Sequence, residues 1–155
     1  MELILYIYIE YYSMKKQRKH NLIIDYECDY GMIGICSHHV DYRLAWGINE
    51  KLFLELEKAN DDFVVEPKKG LVSYHSLFEF KDDENMIDYF LIKNKSEGKF
   101  LIPEKQEIDY FLFLLENYQD RLDELMQKLR TVPSVLAVFN FDPEEINSTE
   151  NLVFN

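Results

Sequence analysis

The fold is decided by residues 108–139, which read IDYFLFLLENYQDRLDELMQKLRTVPSVLAVF. Apart from Asp109, residues 108–115 are apolar and rich in aromatic side chains, which is typical of a strand. Further along, apolar side chains recur at the spacing of one helix face, at Tyr118, Leu122, Leu125, Met126 and Leu129. Residues 135–139 are then apolar again. Strand, helix and strand with short links predict a βαβ unit with a right-handed crossover.

The limits of this helix follow from its flanking residues. Asn117 is a suitable N-cap and Pro133 cannot continue a helix, so we predict the helix between residues 117 and 131. Residues 135–139 show no polar alternation. Such an unbroken apolar run predicts a strand that is covered on both faces.

Two hairpins are predicted upstream of this unit. Residues 71–80 and 86–93 have the character of antiparallel strands, with a polar turn between them. Residues 94–98 form a second predicted turn, which leads into a short strand at 100–102. A further strand is predicted at 21–28, where apolar and β-branched side chains are again enriched.

The segment between residues 38 and 52 fits two structures. Val40, Leu44 and Ile48 recur four residues apart, as on one helix face, but every second residue of the same stretch is also apolar. The helical pattern extends further along the chain and Ser37 can cap it, so we predict a helix at 38–52. The elements together predict an α+β fold: a mostly antiparallel sheet with two helices on one face. The C-terminal βαβ unit gives its second half a ferredoxin-like or ACT-like topology.

We expect one domain from residue 14 to residue 155. The composition changes between Ser13 and Met14, and Met14 opens a basic stretch that resembles an ordinary bacterial start. We therefore interpret residues 1–13 as an N-terminal extension that arises from a mis-assigned start codon. Within it, the apolar run 3–9 is far shorter than the ~20 residues that span a bilayer, and no positive charge precedes it as in a secretory signal.

The charge balance narrows the classes of partner. The chain has 17 Lys and Arg against 29 Asp and Glu, which gives a net charge of −12. Such a surface repels phosphate backbones and the anionic inner leaflet of a membrane, so we expect neither nucleic acid nor membrane as a partner. Two cysteines are too few for a disulfide framework. We predict a cytoplasmic protein that binds a protein or a small molecule, and the composition leaves its oligomeric state open.

Residues 102–110 resemble a family motif. Ile-Pro-Glu at 102–104, followed by Asp-Tyr at 109–110, is similar to the sequence that names the bacterial IPExxxDY family, although four residues rather than three separate Glu104 from Asp109. The similarity extends over residues 14–155 and is clearest at 22–26, 33–35, 41–46 and 150–154. The resemblance implies a bacterial cytoplasmic protein, and it assigns no activity, cofactor or catalytic residue.

Glu104, Asp109 and Tyr110 form the first candidate site. The two carboxylates flank a loop between two predicted strands, and they meet at its tip if those strands pair as a hairpin. Paired carboxylates can transfer protons or hold a divalent cation. The interpretation in which these residues only stabilise the fold is stronger than the one in which they form a site. In it, Pro103 ends a strand, Glu104 is solvated or caps the loop, Asp109 accepts backbone N–H bonds, and Tyr110 packs at one edge of the sheet.

Arg43 and Trp46 form the second candidate site. On a helix they share a face, where the guanidinium can lie over the indole in an interaction patch. The alternative is a core Trp46 with Arg43 at its edge, and the apolar flanking residues favour that alternative.

The soft metal ligands cluster at Cys28, Cys36, His38 and His39. Their spacing lacks the close cysteine pair of a zinc site, and adjacent histidines point to different sides of a strand or helix. Cys36 and His38 share a strand face, as in a nucleophile pair, but no third group is placed to orient them. We favour buried structural cysteines and expect neither a metal nor a cofactor.

These observations rank three functions. The sequence contains no Walker phosphate loop, dinucleotide fingerprint or nucleophile elbow. The leading hypothesis is therefore a non-enzymatic protein-interaction or accessory module. A small-molecule-binding regulatory domain of ACT-like topology is the alternative, and an enzyme that uses Glu104 and Asp109 is the weaker one.

Overall fold

The computed structural model describes residues 29–155. Its helices are α1 (Asp41–Leu52) and α2 (Leu122–Leu129). Its strands are β1 (Tyr30–Cys36), β2 (Glu57–Lys58), β3 (Phe63–Val65), β4 (Ser73–His75), β5 (Leu77–Asp82), β6 (Ile87–Lys93), β7 (Lys95–Ser96), β8 (Lys99–Phe100), β9 (Tyr110–Leu115) and β10 (Ala137–Phe141). Short 3₁₀ turns lie at Pro103–Lys105, Pro143–Glu145 and Asn147–Asn151. The strand predicted at 21–28, Cys28 and the proposed extension 1–13 lie outside the described residues.

Six of these strands form one antiparallel sheet in the order β10-β1-β9-β6-β5-β2, and β3-β4 and β7-β8 form two small ladders. The fold is therefore α+β, with a mostly antiparallel sheet and two helices, as the sequence predicts. The first upstream hairpin is confirmed, because β5 pairs with β6. The second differs from its prediction: β7 lies inside the predicted turn 94–98 and pairs with β8, and residues 101–102 are not in a strand. Within residues 29–155 no helix is long and apolar enough to cross a membrane.

The strand β9 lies at the centre of the sheet, between β1 and β6. Its residues Phe111, Leu112, Phe113 and Leu114 are all fully buried. Successive side chains of a strand point to opposite faces. Phe111 and Phe113 accordingly belong to one hydrophobic cluster, and Leu112 and Leu114 belong to another. The two covered faces explain why this strand has an unbroken apolar sequence.

Both helices cover the same face of the sheet. Leu44 and Ile48 of α1 and Leu129 of α2 pack in the same cluster as Leu112 and Leu114 of β9. In α1 these side chains are four residues apart, the spacing that places them on one stripe of a helix. The helix predicted at 38–52 is therefore confirmed in type.

Both helices begin later than predicted. The residue before α1 is Val40, and the Ser37 hydroxyl donates to the Ser134 carbonyl at 2.6 Å instead of capping the helix. The helix α2 begins at Leu122, and Asn117 is not its cap. In both places the polar side chain that suggested a cap lies too far ahead of the first helical turn to reach its free N–H groups.

The face opposite the helices is covered by β3, by apolar side chains between residues 101 and 108, and by the C-terminal residues. The ring of Phe154 packs against the rings of Tyr30, Phe90 and Phe113, with centroid separations of 5.2, 5.3 and 5.0 Å. Leu152 is buried in the same cluster. The sheet consequently lies between two separate cores.

The strand β10 contradicts its prediction. Residues 135–139 were expected to be covered on both faces, but β10 is the edge strand of the described sheet, and Leu136 and Phe139 are exposed. Val138 is its buried residue and packs in the core on the helix side. Because β9 and β10 each run antiparallel to β1, they point in the same direction, with β1 between them and α2 joining them.

Candidate functional site

Residues 101–109 do not form the predicted hairpin, because they wrap around the side chain of Asn94. β9 pairs with β1 and β6, whereas β8 pairs only with β7 in the described part of the chain. Asn94 is 0% exposed. Its amide nitrogen donates to the carbonyls of Lys105 (2.8 Å) and Ile108 (2.7 Å), and its amide oxygen accepts from the N–H of Ile102 at 2.9 Å. The side chain thus stands in for the strand pairing that this loop lacks.

The backbone of Asn94 holds the same loop. Its N–H donates to the Asp109 carbonyl at 2.9 Å, and its carbonyl accepts from the N–H of Leu101 at 2.8 Å. Five hydrogen bonds in all fasten residues 101–109, which we call the motif loop, to this one asparagine.

The structure brings Glu104 and Asp109 into contact with different segments. The Glu104 carboxylate accepts from the N–H of Ser148 at 3.0 Å, in the C-terminal 3₁₀ turn. The Asp109 carboxylate accepts from the N–H of Ser37 at 2.8 Å, just after β1. The hairpin tip that was expected to pair the two groups does not exist. Each carboxylate instead ties the motif loop to another part of the domain.

Tyr110 was predicted to pack at one edge of the sheet. It lies instead in the central strand β9. Its hydroxyl donates to the carbonyl of His39 at 2.7 Å. Burial, reinforced by the negative charges of Asp41 and Asp109, raises the pKa of Tyr110 to about 12. The phenol therefore stays protonated at neutral pH and holds the turn that precedes α1.

Cys36 is not in the state that a nucleophile needs. Its thiol donates to the carbonyl of Glu107 at 3.5 Å. Burial and the nearby charges of Asp109 and Glu107 raise the pKa of the thiol, whereas reactive cysteines have a lowered one. Across residues 29–155 no group of three His, Cys, Asp or Glu side chains is placed to hold a metal ion.

Trp46 contradicts its predicted place in the core. Its side chain is 67% exposed, because Leu44, Ala45 and Ile48 already occupy the side of α1 that faces the sheet. Arg43 is exposed as well. The cation–π contacts found among the described residues come from lysines, so Arg43 and Trp46 share the outer side of the helix without that contact.

Two more aromatic side chains continue this outer surface. Tyr42 lies one turn before Trp46, and Phe53 directly follows the helix; they are 64% and 87% exposed. Tyr42 and Trp46 are four residues apart and so share one side of the helix, and Phe53 stands at its C-terminal end. We call Tyr42, Trp46 and Phe53 the aromatic stripe.

Phe53 also has an unusual backbone conformation. It ends α1 with φ 54° and ψ 43°, in the left-handed region. Bulky residues rarely adopt this conformation, and glycine is the usual residue where a helix ends in this way. The most exposed large apolar side chain among residues 29–155 is therefore held at some cost in backbone energy.

Besides the motif loop and the aromatic stripe, the structure has a cleft that was not predicted from the sequence. A cleft with a volume of about 590 Å³ lies between β3, β5, β6 and the C-terminal residues. It is lined by residues between 59 and 66, by Leu77, Glu79 and Phe90, and by residues between 151 and 155. These walls come from three distant parts of the chain, so no local motif marks them.

No family model, curated protein or solved structure matches this chain.

Proposed function

We propose that this protein is a non-enzymatic interaction module that binds a protein partner through the aromatic stripe on α1. The observation that carries the proposal is the 67% exposure of Trp46, between the still more exposed Phe53 and the comparably exposed Tyr42. Tryptophan and tyrosine are the residues most enriched among those that dominate binding energy at protein interfaces, together with arginine. Arg43 lies on the same outer side of the helix and adds the third of these residue types.

The strained backbone of Phe53 supports the same role. A left-handed residue with a side chain costs about 1–2 kcal/mol relative to an ordinary helical conformation. An exposed phenylalanine gains nothing from the domain core that would offset this cost. A partner that covers the ring would offset it, because an aromatic side chain buries about 150–250 Å² at an interface.

The charge of the chain indicates the chemistry of the partner. A net charge of −12 favours association with a basic protein surface and disfavours anionic ones. We therefore infer a basic protein with an apolar groove or patch for the stripe. The resemblance to the bacterial IPExxxDY family supports a partner in the bacterial cytoplasm.

Replacing both Tyr42 and Trp46 with alanine is expected to weaken partner binding by at least about tenfold without lowering the melting temperature. The two side chains lie outside both cores, so their removal leaves the domain packed. The measurement is quantitative affinity capture from native lysate with the full chain as bait, followed by titration of the purified partner. Trp46 is the only tryptophan, so its fluorescence emission should shift to shorter wavelength when the partner covers it.

The matched control is Tyr74→Ala, because Tyr74 is 58% exposed but belongs to β4, away from α1. This variant should capture the partner as well as the unmodified chain does. Capture that survives the loss of Tyr42 and Trp46 would contradict the proposal. Repeated recovery of the chain alone, or as a dimer of itself, would also contradict it.

Replacing Phe53 with glycine is expected to stabilise the free protein by about 1 kcal/mol, because glycine adopts the left-handed conformation without strain. The same change should weaken partner binding, because it removes the most exposed ring of the stripe. Chemical denaturation and partner titration measure the two effects. If the variant is more stable and binds the partner equally well, Phe53 is not part of the interface.

A small-molecule-binding regulatory domain is the second candidate function. The order β10-β1-β9-β6, with β1 parallel to β6 and β9 parallel to β10, is the arrangement expected of a ferredoxin-like or ACT-like unit, and it supports that assignment. A ligand that binds the native state raises its melting temperature. A flat response to amino acids, nucleotides and divalent cations would exclude this candidate.

An enzyme that uses Glu104 and Asp109 is the weakest candidate. Each carboxylate already accepts a backbone N–H, from Ser148 and from Ser37. Both hydrogen bonds hold the motif loop against other parts of the domain, so neither carboxylate requires a catalytic role to explain its position. Normal growth of cells in which both residues are replaced by alanine would remove this candidate.

A further inference from the structure

The cleft has an aromatic floor. The rings of Phe63 and Phe90 both lie against the ring of Phe154, with centroid separations of 5.5 and 5.3 Å. All three residues line the cleft, and Leu77 adds an apolar contact beside them. The volume of about 590 Å³ falls within the range of roughly 300–1,000 Å³ that small-molecule sites occupy.

The rim of the cleft is acidic. It carries Asp61, Asp62, Glu66 and Glu79, and none of the described residues that line it is Lys, Arg or His. The ion pairs found between residues 29 and 155 involve Asp41 and Glu124 and so leave these four carboxylates without a cationic partner. A cation is therefore the ligand that this rim attracts.

One strand pair adds a repulsion between carboxylates at this rim. Glu79 of β5 lies directly opposite Glu57 of β2 in the antiparallel register. Like charges in directly opposite positions destabilise a sheet. A bound cation at the Glu79 end of the cleft would relieve this repulsion.

The walls of the cleft are fastened in place. His75, which is fully buried, bonds through Nδ1 to the Lys93 carbonyl and through Nε2 to the Ser73 hydroxyl, both at 2.8 Å. The Nδ1 bond ties β4, and with it the β3-β4 ladder, to the end of β6, and the Nε2 bond holds the imidazole ring within β4. On the other side, the N–H of Ala59 donates to the carbonyl of Leu77 at 3.0 Å. The site is thus already formed in the free protein, which limits the ordering cost of binding.

We propose that this cleft binds a small organic cation: an ammonium group held by the rim carboxylates, on an apolar body that packs against Phe63, Phe90 and Phe154. The rings offer a contact surface to the apolar body, and the carboxylates offer the opposite charge to the ammonium group. A metal ion would leave the aromatic floor unused. The described carboxylates are also not grouped to hold one. The site lies on the face of the sheet opposite α1, so it does not depend on the aromatic stripe.

Calorimetric titration of the full chain with 2-phenylethylamine tests the proposal. Two controls share the ring but change the head group: 2-phenylethanol is neutral, and phenylacetate is an anion. We expect saturable binding of the amine, affinity for the alcohol at least about tenfold weaker, and no binding of the acid. Equal affinity for amine and alcohol, or no saturable binding of the amine, would overturn the proposal.

A pair of variants locates the binding. Asp62→Asn combined with Glu79→Gln removes two rim charges while preserving side-chain size, and it should weaken amine binding by about tenfold or more. The matched control, Asp83→Asn combined with Glu84→Gln, also removes two negative charges, but from the exposed turn between β5 and β6. It should leave the affinity unchanged. If both variants weaken binding equally, the amine is a counter-ion of the acidic surface, and the cleft is not its site.

Discussion

Replacing Asn94 with alanine is expected to lower the free energy of unfolding by about 3–5 kcal/mol, although the change removes only a small polar side chain. The reason is that the N–H of Ile102 and the carbonyl of Ile108 lose their partner, and the carbonyl of Lys105 keeps only the N–H of Ile108. A buried backbone group without a partner costs about 1–3 kcal/mol, and local relaxation of the loop recovers part of the sum. Urea denaturation followed by circular dichroism measures the change.

Two further variants test whether the lost hydrogen bonds of Asn94 cause the change. Asn94→Asp keeps the size of the side chain but cannot donate to the two carbonyls, so it should be destabilised at least as much. Asn140→Ala makes the same change as Asn94→Ala at an exposed position of β10, and it should stay within about 0.5 kcal/mol of the unmodified chain. If Asn94→Asp were as stable as the unmodified protein, the side-chain donors would have no part in holding the motif loop.

Replacing Phe113 with alanine is the second change with a large expected effect, a loss of about 3–5 kcal/mol. Phe113 is fully buried in the central strand. Its ring lies 5.5 Å from that of Tyr30 and 5.0 Å from that of Phe154, measured between centroids. The cavity would therefore open where the C-terminal residues meet the sheet, and it would also loosen the aromatic floor of the cleft.

The control for Phe113 is the same substitution at Phe53. Because Phe53 is 87% exposed, Phe53→Ala should change stability by no more than about 0.5 kcal/mol. Denaturant midpoints and near-ultraviolet circular dichroism, which reports on packed aromatic rings, distinguish the two variants. A loss below about 1 kcal/mol for Phe113→Ala would mean that this face of the sheet is not close-packed.

The two apolar runs of the decisive segment show how far the sequence predicts the fold. The run at 108–115 is predicted as a strand, and its residues 110–115 form β9, which is covered on both faces. The run at 135–139 is predicted as a strand covered on both faces, but β10 lies at the edge of the described sheet. Apolar composition indicates that a strand is buried somewhere. It does not indicate which neighbours the strand has, because those depend on pairing with residues far away in the chain.

The candidate sites were predictable only where local spacing determines the geometry. Glu104 and Asp109 were paired on the assumption of a hairpin, and Asn94 was assigned to a turn because of its residue type. The partners of Asn94 are mostly backbone groups, which carry no sequence signal. Trp46 was recognisable in principle, because Leu44 and Ile48 already complete the buried stripe of α1.

The position of β1 has a consequence for how the chain is made. β1 pairs on one side with β9 and on the other with β10, and its apolar residues Met32, Ile33 and Ile35 are fully buried in the finished sheet. Roughly 100 residues separate Cys36 from Ala137, and a ribosome that adds ~5–20 residues per second needs about 5–20 s to make them. Until Tyr110–Leu115 have been made β1 has neither neighbour, and from then until Ala137–Phe141 follow it still lacks one. The nascent chain therefore presents an apolar strand with at least one open edge, a template for aggregation that synthesis of the C-terminal strand finally removes.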